Sequence, residues 1–341
     1  MDLFIASMLA QDGLVNGAIY GLLGFALVLV FSVTRVIFLP QGEFVAFGAL
    51  TYGALVTGHV PGTIWLLLAL VAIEAGRLCV ANRSHPGRMV RKMLWLLVPS
   101  GLTAGAVLSG LVTAGGPWVQ ALASVFIVGL TGPLLYRLVF LPVRNASVLL
   151  LLFVAVALHW VLLGIGLAIF GAEGQRAPAL IDVGFDVFGV PITGSTLSVL
   201  AFTAIALVLL GLVFGRTLFG LALRATAINP LGARIVGVRT EESGSIAFGI
   251  ASFIGALGGV LIAPITTVYY DTGFLIGLKG FVAAIFGGLQ GYALTAVGAL
   301  FVGLVESGSA FYASAFKDAL VFGLILPLVL YRSLRSTVRE D

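Results

Sequence analysis

The 341-residue chain is 60% apolar and only 9% charged, with 45 glycines and a formal net charge of +4; its mean hydropathy is +1.17. A soluble domain is about 25% charged, so no water-facing surface can be assembled from this composition. Long unbroken apolar runs also exclude a transmembrane barrel, whose strands alternate over about 10 residues. What remains is an all-α polytopic membrane protein, and its glycines suit helices that pack closely in lipid.

In chain order, apolar runs bounded by charge or by Pro/Gly clusters predict about eleven transmembrane helices of roughly 17–25 residues each. They fall at 14–34, 42–58, 62–76, 93–114, 117–136, 147–170, 196–215, 244–268, 274–290, 292–313 and 319–331. Met1-Asp2 opens the chain without a basic region, so the first run reads as a retained helix and not as a cleaved signal. Cys79 is the lone cysteine, which excludes an intrachain disulfide and leaves a packing role. Residues 1–341 read as a single transmembrane domain, in which 77–114, a basic loop followed by a span, is a peripheral insertion. The segment 171–195 is the longest extracytoplasmic loop expected, rich in Gly, Pro and Asp, with strand-like alternation near Val183 to Val190. A faint internal repeat relates Gln41-Gly42 through Leu50 to Gln290-Gly291 through Leu300; corresponding interruptions in two halves are a transporter feature.

Basic residues collect in the loop 77–92, at Arg137 and Arg144, in the loop 216–242 and in the tail with Arg332, Arg335 and Arg339. In an eleven-span chain these loops share one side. Lys and Arg concentrate in short cytoplasmic loops, so the N-terminus is expected outside and the C-terminus inside a bacterial inner membrane. The same distribution accounts for the net charge without a nucleic-acid partner.

Two polar interruptions stand out, because ionisable groups within a membrane are costly and face a cavity or a partner. In Phe38-Leu39-Pro40-Gln41-Gly42-Glu43, Pro40 and Gly42 break an apolar helix beside Gln41 and Glu43. The backbone groups so freed are tolerated only inside protein or along a water-filled cavity; the competing reading is a plain cytoplasmic turn. In Gly277-Leu278-Lys279-Gly280-Phe281, Lys279 serves a substrate carboxylate, pairs with Glu306, or snorkels to the headgroups. Glu306 lies deep in its run and needs a cationic or hydrogen-bonding partner, with Lys279 and Lys317 as candidates. His159 is the histidine deep in a span and reads as a hydrogen-bonded packing residue.

The loop 221–242 is too polar to span and too patterned for a floppy linker. Ala222, Ala225, Ala233 and Ile235 supply an apolar side to a short helix, Arg224 and Arg234 are exposed, and Gly237 ends it. Such a helix suits docking on a cytoplasmic partner.

These residues resemble the permeases of the branched-chain amino acid (leucine/isoleucine/valine) family of bacterial ABC importers. The resemblance runs over nearly the whole chain. It rests on Gly17…Tyr20-Gly21-Leu22, the Phe38 to Phe44 element, Arg137…Pro142-Val143-Arg144, Arg224-Ala225…Asn229…Ala233-Arg234…Gly237-Val238, Gly-Leu-Lys-Gly-Phe…Gly-Gly-Leu-Gln-Gly, and Glu306. Family members read Asn-Phe-Ala-His-Gly or Asn-Phe-Ala-Gln-Gly where this chain has Phe38 and Pro40 in place of Asn and Ala. The resemblance implies a second homologous permease, two cytoplasmic ATPase subunits and an extracytoplasmic solute-binding protein. The cargo it implies is a branched-chain amino acid, an amide, urea or an aromatic acid. Tyr20, Gln41, Glu43, Lys279 and Glu306 are the substrate-pathway candidates, and Arg224, Asn229, Ala233, Arg234 and Gly237 the ATPase-coupling candidates. No Gly-x4-Gly-Lys-[Ser/Thr] loop occurs in the chain, so ATP is expected on partner subunits and no cofactor on this one. The alternatives are a secondary transporter driven by protonation of Glu306 and an intramembrane enzyme. The second would need a catalytic set, such as facing aspartates or a Ser/His dyad, that the sequence lacks.

Overall fold

The computed structural model describes residues 3–81, 86–187 and 190–330. Arg83, Arg332, Arg335 and Arg339 of the orientation argument, and the end of the expected span 319–331, lie outside the described residues. The helices in chain order are α1 (Leu3–Thr34), α2 (Gln41–Val56), α3 (Thr63–Ala81), α4 (Pro86–Leu108), α5 (Pro117–Gly129), α6 (Thr131–Leu135) and α7 (Val148–Phe170). A hairpin of β1 (Phe185–Val187) and β2 (Val190–Ile192) follows. The second half holds α8 (Gly194–Arg216), α9 (Leu218–Ile228), α10 (Pro230–Ile235), α11 (Thr240–Ile262), α12 (Thr272–Phe286), α13 (Tyr292–Tyr312) and α14 (Lys317–Gly323).

Among the described residues, seven helical segments are long and apolar enough to cross a membrane. They correspond to seven of the eleven expected spans. The other four expected spans fall on α2, α4, α12 and the stretch from α14 onward, and each has a reason for standing apart. With 16 and 15 residues, α2 and α12 are shorter than the roughly 17 residues that a perpendicular crossing needs. The α4 helix starts at Pro86 and ends at Leu108, in place of the expected 93–114, because its first turns take in the basic residues Arg88, Arg91 and Lys92. It packs chiefly on α3 and α5 through a narrow stripe of Leu96, Ser100, Ala104 and Val107, while Trp95, Leu97 and Leu102 are exposed. After α14 the helical path is interrupted at Leu324.

Local chemistry sets the boundaries. Side chains of Ser147, Thr193, Thr217 and Asn229 accept hydrogen bonds from backbone N–H groups three residues on, at 3.3, 3.3, 3.0 and 2.9 Å. They begin α7, α8, α9 and α10 by satisfying donors that a helix start leaves free. The expected extracytoplasmic segment does carry strand: Phe185 pairs with Ile192 and Val187 with Val190. Gln175 in the same segment exchanges two 2.9 Å backbone hydrogen bonds with Val268, tying it to the link between α11 and α12.

The core is built on α1 and α11. Antiparallel to α1, α13 brings Leu304 to Gly13, Leu300 to Gly17 and Thr295 to Gly24. On the other side α11 packs along α2, where a Cβ at Gly48 would lie 2.5 Å from the Ala256 carbonyl oxygen and one at Gly259 would lie 2.1 Å from that of Val45. Only glycine permits this backbone approach, the small-residue packing used in place of a hydrophobic driving force in lipid. Large apolar side chains of α7 and α8, such as Phe153, Trp160, Ile205 and Val208, are exposed.

Candidate functional site

The first interruption is not a turn at the end of α1. Arg35 ends α1 in the left-handed region at φ 60, and the chain then turns back inward through the buried Val36 and Phe38. Pro40 occupies the N-cap of α2, a place where its missing N–H is no loss. The first side chain of α2, Gln41, donates from Nε2 to the carbonyl of Ala251 at 2.8 Å. Ala251 is the middle residue of α11. Hence α2 starts level with the midpoint of a full span, as an interrupted helix does. Phe38, where the family pattern has Asn, is fully buried with its ring centroid 4.8 Å from Phe248, 5.7 Å from Phe44 and 5.8 Å from Phe140. The change of residue fills an aromatic core below the break.

Glu43, one turn into α2, is fully buried. Its Oε1 lies 2.8 Å from Nδ1 of His159 on α7. The His159 ring is held 4.4 Å from Phe274 and 5.3 Å from Trp160, centroid to centroid. One oxygen of each polar side chain, Gln41 Oε1 and Glu43 Oε2, is buried without a hydrogen-bond partner. On the far side of His159 opens a cavity of about 470 Å3, lined by Leu39, His159, Trp160, Asp271, Thr272 and Phe274 among others. Asp271 stands at the N-cap of α12. The cavity thus presents apolar walls, an imidazole and a carboxylate.

The second cluster joins four helices. Lys279 of α12 places Nζ 2.5 Å from Glu306 Oε1 of α13 and 2.9 Å from Asp318 Oδ1 of α14. The contact with Asp318 is an ion pair by distance but lacks hydrogen-bond alignment, since that oxygen has no hydrogen-bond partner. The Tyr20 hydroxyl of α1 donates to Glu306 Oε2. Lys279 and Glu306 are buried, and each has its opposite charge in contact. Of the partners proposed for Glu306, the structure brings Lys279 and leaves Lys317 exposed.

The five pathway candidates therefore fall into two groups. Gln41 and Glu43 stand with His159 beside a cavity, while Tyr20, Lys279 and Glu306 close on one another with Asp318. The groups are linked by the crossing of α2 and α12, where Gly42 meets Gly273 and Gly277. The sequence reads His159 as a packing residue and does not single out Asp318. Glu43 and His159 are 116 residues apart, and no local spacing joins them.

In the segment 221–242, Asn229 caps α10, Ala233 is buried, Arg234 donates from Nε to Thr240 Oγ1 at 2.8 Å, and Gly237 turns the chain at φ +90. Arg224 is exposed on α9. The expected apolar face needs correction. Ala222 and Ala225 are half-buried and Ala233 is turned inward, because small residues let α9 and α10 lie against α1 and α11. Besides Ile235, which was expected there, the exposed apolar residues are Ile228 at the end of α9 and Leu231 and Val236 on and after α10; Leu231 and Ile235 are four residues apart on one helix face. Arg144 and Glu241 pair beside it.

Residues 9–330 match the family described as the permease component of branched-chain amino acid transport systems. The high-affinity branched-chain amino acid transport system permease protein LivH of Escherichia coli K12 is 24% identical over 326 residues, covering 94% of this chain and 91% of that one. A probable branched-chain amino acid transport permease protein LivH of Methanocaldococcus jannaschii is 31% identical over 225 residues, or 62% of this chain and 69% of that one. BraD of Pseudomonas aeruginosa, a high-affinity permease protein of the same kind of system, is 26% identical over 218 residues, covering 62% of this chain and 71% of its own. No solved structure matches the chain. A multi-pass helical chain with no catalytic role, matched over nearly its full length, belongs to the branched-chain amino acid permease family of ABC importers.

Proposed function

We propose that this chain is the membrane-spanning subunit through which an importer passes branched-chain amino acids or related small carboxylate or amide solutes. An extracytoplasmic binding protein delivers the cargo, a second homologous permease completes the pathway, and two cytoplasmic ATPases bind and hydrolyse ATP. The N-terminus is outside and the C-terminus cytoplasmic, with α2, α4, α12 and the C-terminal helix completing eleven crossings. The observation that carries the reading is the start of α2 at mid-depth, with Gln41 and Glu43 buried behind a cavity that His159 and Asp271 line. Irregular backbone at that depth is tolerated where it lines a cavity, and discontinuous helices form transporter substrate sites near the midplane. Tyr20, Lys279 and Glu306 hold α1, α12 and α13 together at the pathway wall.

Coupling enters through α9, α10 and the turn at Gly237. Asn229, Ala233 and Arg234 fix the shape of this element, Arg224 remains exposed, and Ile228, Leu231 and Ile235 offer an apolar face to a groove on the ATPase. Because α9 follows α8 and α10 leads into α11, a movement of the docked helices tilts both spans and alternates access.

The test is uptake in proteoliposomes holding the permeases and ATPases, fed by loaded binding protein, with radiolabelled leucine, urea and an aromatic acid offered in turn. Transport of one of these classes, dependent on ATP, is expected. Uptake confined to a sugar or a metal, or uptake without ATP, would overturn the reading. For coupling, the Arg234→Glu, Gly237→Val double variant should insert normally yet lose ATPase association and stimulated hydrolysis; full retention of both moves the coupling surface elsewhere, with the basic loop 77–92 next in line.

A further inference from the structure

A second cavity, of about 530 Å3, lies between α1, α8, α9 and the start of α13. Its size falls in the range of about 300–1,000 Å3 usual for small-ligand sites. Apolar side chains make most of its wall, Leu210 and Phe214 of α8 among them. Tyr292 also lines it, stacked 5.6 Å from Phe25 and tilted against Phe214 at 5.9 Å, centroid to centroid. A wall of this kind does not hold water well. The outer flank is α8, whose Val208, Leu209 and Leu212 are exposed, so the cavity adjoins hydrocarbon and not an aqueous vestibule.

Two guanidinium groups, Arg35 and Arg224, complete the lining. Arg35 occupies a left-handed backbone position at φ 60, where a non-glycine residue costs energy. Its Nη2 donates to the Ala227 carbonyl at 3.3 Å, and its Cζ lies 5.9 Å from the Phe31 ring centroid. Neither arginine forms an ion pair with a carboxylate among the described residues, whose ion pairs involve Arg77, Arg144, His159, Arg239 and Lys279. Two exposed cations without a carboxylate partner at the rim of one apolar cavity match an occupant with an apolar body and an anionic head. Guanidinium groups bind phosphate through paired N–H donors, and basic pockets between transmembrane helices take anionic lipid headgroups.

We propose that this cavity is a binding site for an anionic glycerophospholipid, one acyl chain lying between α1 and α8 and the phosphate bridged by Arg35 and Arg224. The lipid joins the end of α1 to α9, the first of the helices assigned to coupling, and so braces that helix from the membrane side.

The experiment is native mass spectrometry of the detergent-purified permease, after exchange with equimolar phosphatidylglycerol and phosphatidylcholine of identical acyl chains. Wild type should retain one phosphatidylglycerol in preference to phosphatidylcholine. In the Arg35→Gln, Arg224→Gln variant the preference should fall roughly thirtyfold, which is about 2 kcal/mol at about 1.4 kcal/mol per tenfold, or about 1 kcal/mol for each basic residue. Arg35→Lys with Arg224→Lys should restore part of it. Leu210→Trp, which fills the cavity and leaves both charges, should expel the bound lipid; it also carries the test if the double variant fails to insert. Equal retention of the two lipids by wild type would overturn the proposal. So would an unchanged preference in the double variant or in Leu210→Trp, or displacement of the bound species by free glycerol phosphate, which would mark a site for a soluble anion.

Discussion

The two buried polar clusters differ in how their charges are matched. Around Lys279 the carboxylates lie within ion-pair distance, Glu306 at 2.5 Å and Asp318 at 2.9 Å, and both oxygens of Glu306 are hydrogen-bonded, one by Lys279 and one by the Tyr20 hydroxyl; only Asp318 Oδ1, on a part-exposed side chain, makes no hydrogen bond. Around Glu43 the matching is incomplete, since Glu43 Oε2 and Gln41 Oε1 have no partner and only His159 stands between the carboxyl and a cavity. A closed set of charges in a low-dielectric interior rigidifies, whereas a partly satisfied one costs free energy and is retained at functional sites. From this comparison we propose that the Lys279 cluster holds α1, α12, α13 and α14 in register and that the Glu43 cluster serves transport.

The largest effect should come from breaking the closed cluster. Lys279→Met strands Glu306 inside the protein and should cost about 3–5 kcal/mol of stability, whereas Glu306→Met leaves Lys279 with Asp318 and should cost less. The double replacement should cost less than the sum of the two, because no fully buried charge is stranded and only the part-exposed Asp318 loses its partner. Unfolding titrations of the four proteins form a double-mutant cycle. Additive losses would show that the two side chains do not act as a pair and would remove the contrast between the clusters.

A smaller loss is expected where α2 crosses α12. A Cβ at Gly42 would lie 1.9 Å from the Gly273 carbonyl oxygen, a backbone atom that cannot rotate away. Gly42→Ala should therefore separate the helices at a cost of about 1–3 kcal/mol, as overpacking does, and lower transport because both clusters hang on this crossing. Gly258→Ala, where an added Cβ meets nothing within 4 Å, is the control. It should be neutral or stabilise α11 by up to about 1 kcal/mol through helix propensity. Equal behaviour of the two variants would mean that the close approach is not required.

Features set by composition or by short-range spacing were legible in the sequence. The all-helical membrane class, the break at Pro40 to Glu43, the need of Glu306 for a cation, and Gly237 as the end of a short helix all follow from residues close together or from the cost of a charge in lipid. Other features depend on distant parts of the chain. His159 acquires its role from Glu43 across the α2–α7 contact, and Asp318 from the fold-back of α14 on α12 and α13. The apolar face expected of 221–242 comprises Ala222, Ala225, Ala233 and Ile235, of which only Ile235 is exposed: in a helix lying against others the small residues turn inward and the large ones remain for a partner. The bounds expected at 93–114 shifted to Pro86–Leu108 for a different reason: the basic first turns and the apolar remainder of α4 form one helix, so a hydropathy boundary falls inside an element.

The smallest change in stability, and the sharpest separation of stability from transport, should come from Glu43→Gln. Glutamine keeps the size of the side chain and can still hydrogen-bond His159, as donor or acceptor according to the tautomer of the ring. The fold should therefore change by no more than about 1 kcal/mol, the net worth of an ordinary hydrogen bond. What the substitution removes is the carboxyl group and its capacity to exchange a proton with the imidazole or to meet a cationic group in the neighbouring cavity. If that capacity serves the passage of cargo, ATP-dependent uptake of radiolabelled leucine should fall by about tenfold, equivalent to about 1.4 kcal/mol, while unfolding titrations and ATPase association stay close to wild type. Wild-type uptake in Glu43→Gln would place the open cluster among the structural contacts, and the unpartnered oxygens beside the break would then be a cost of starting α2 in the middle of the membrane.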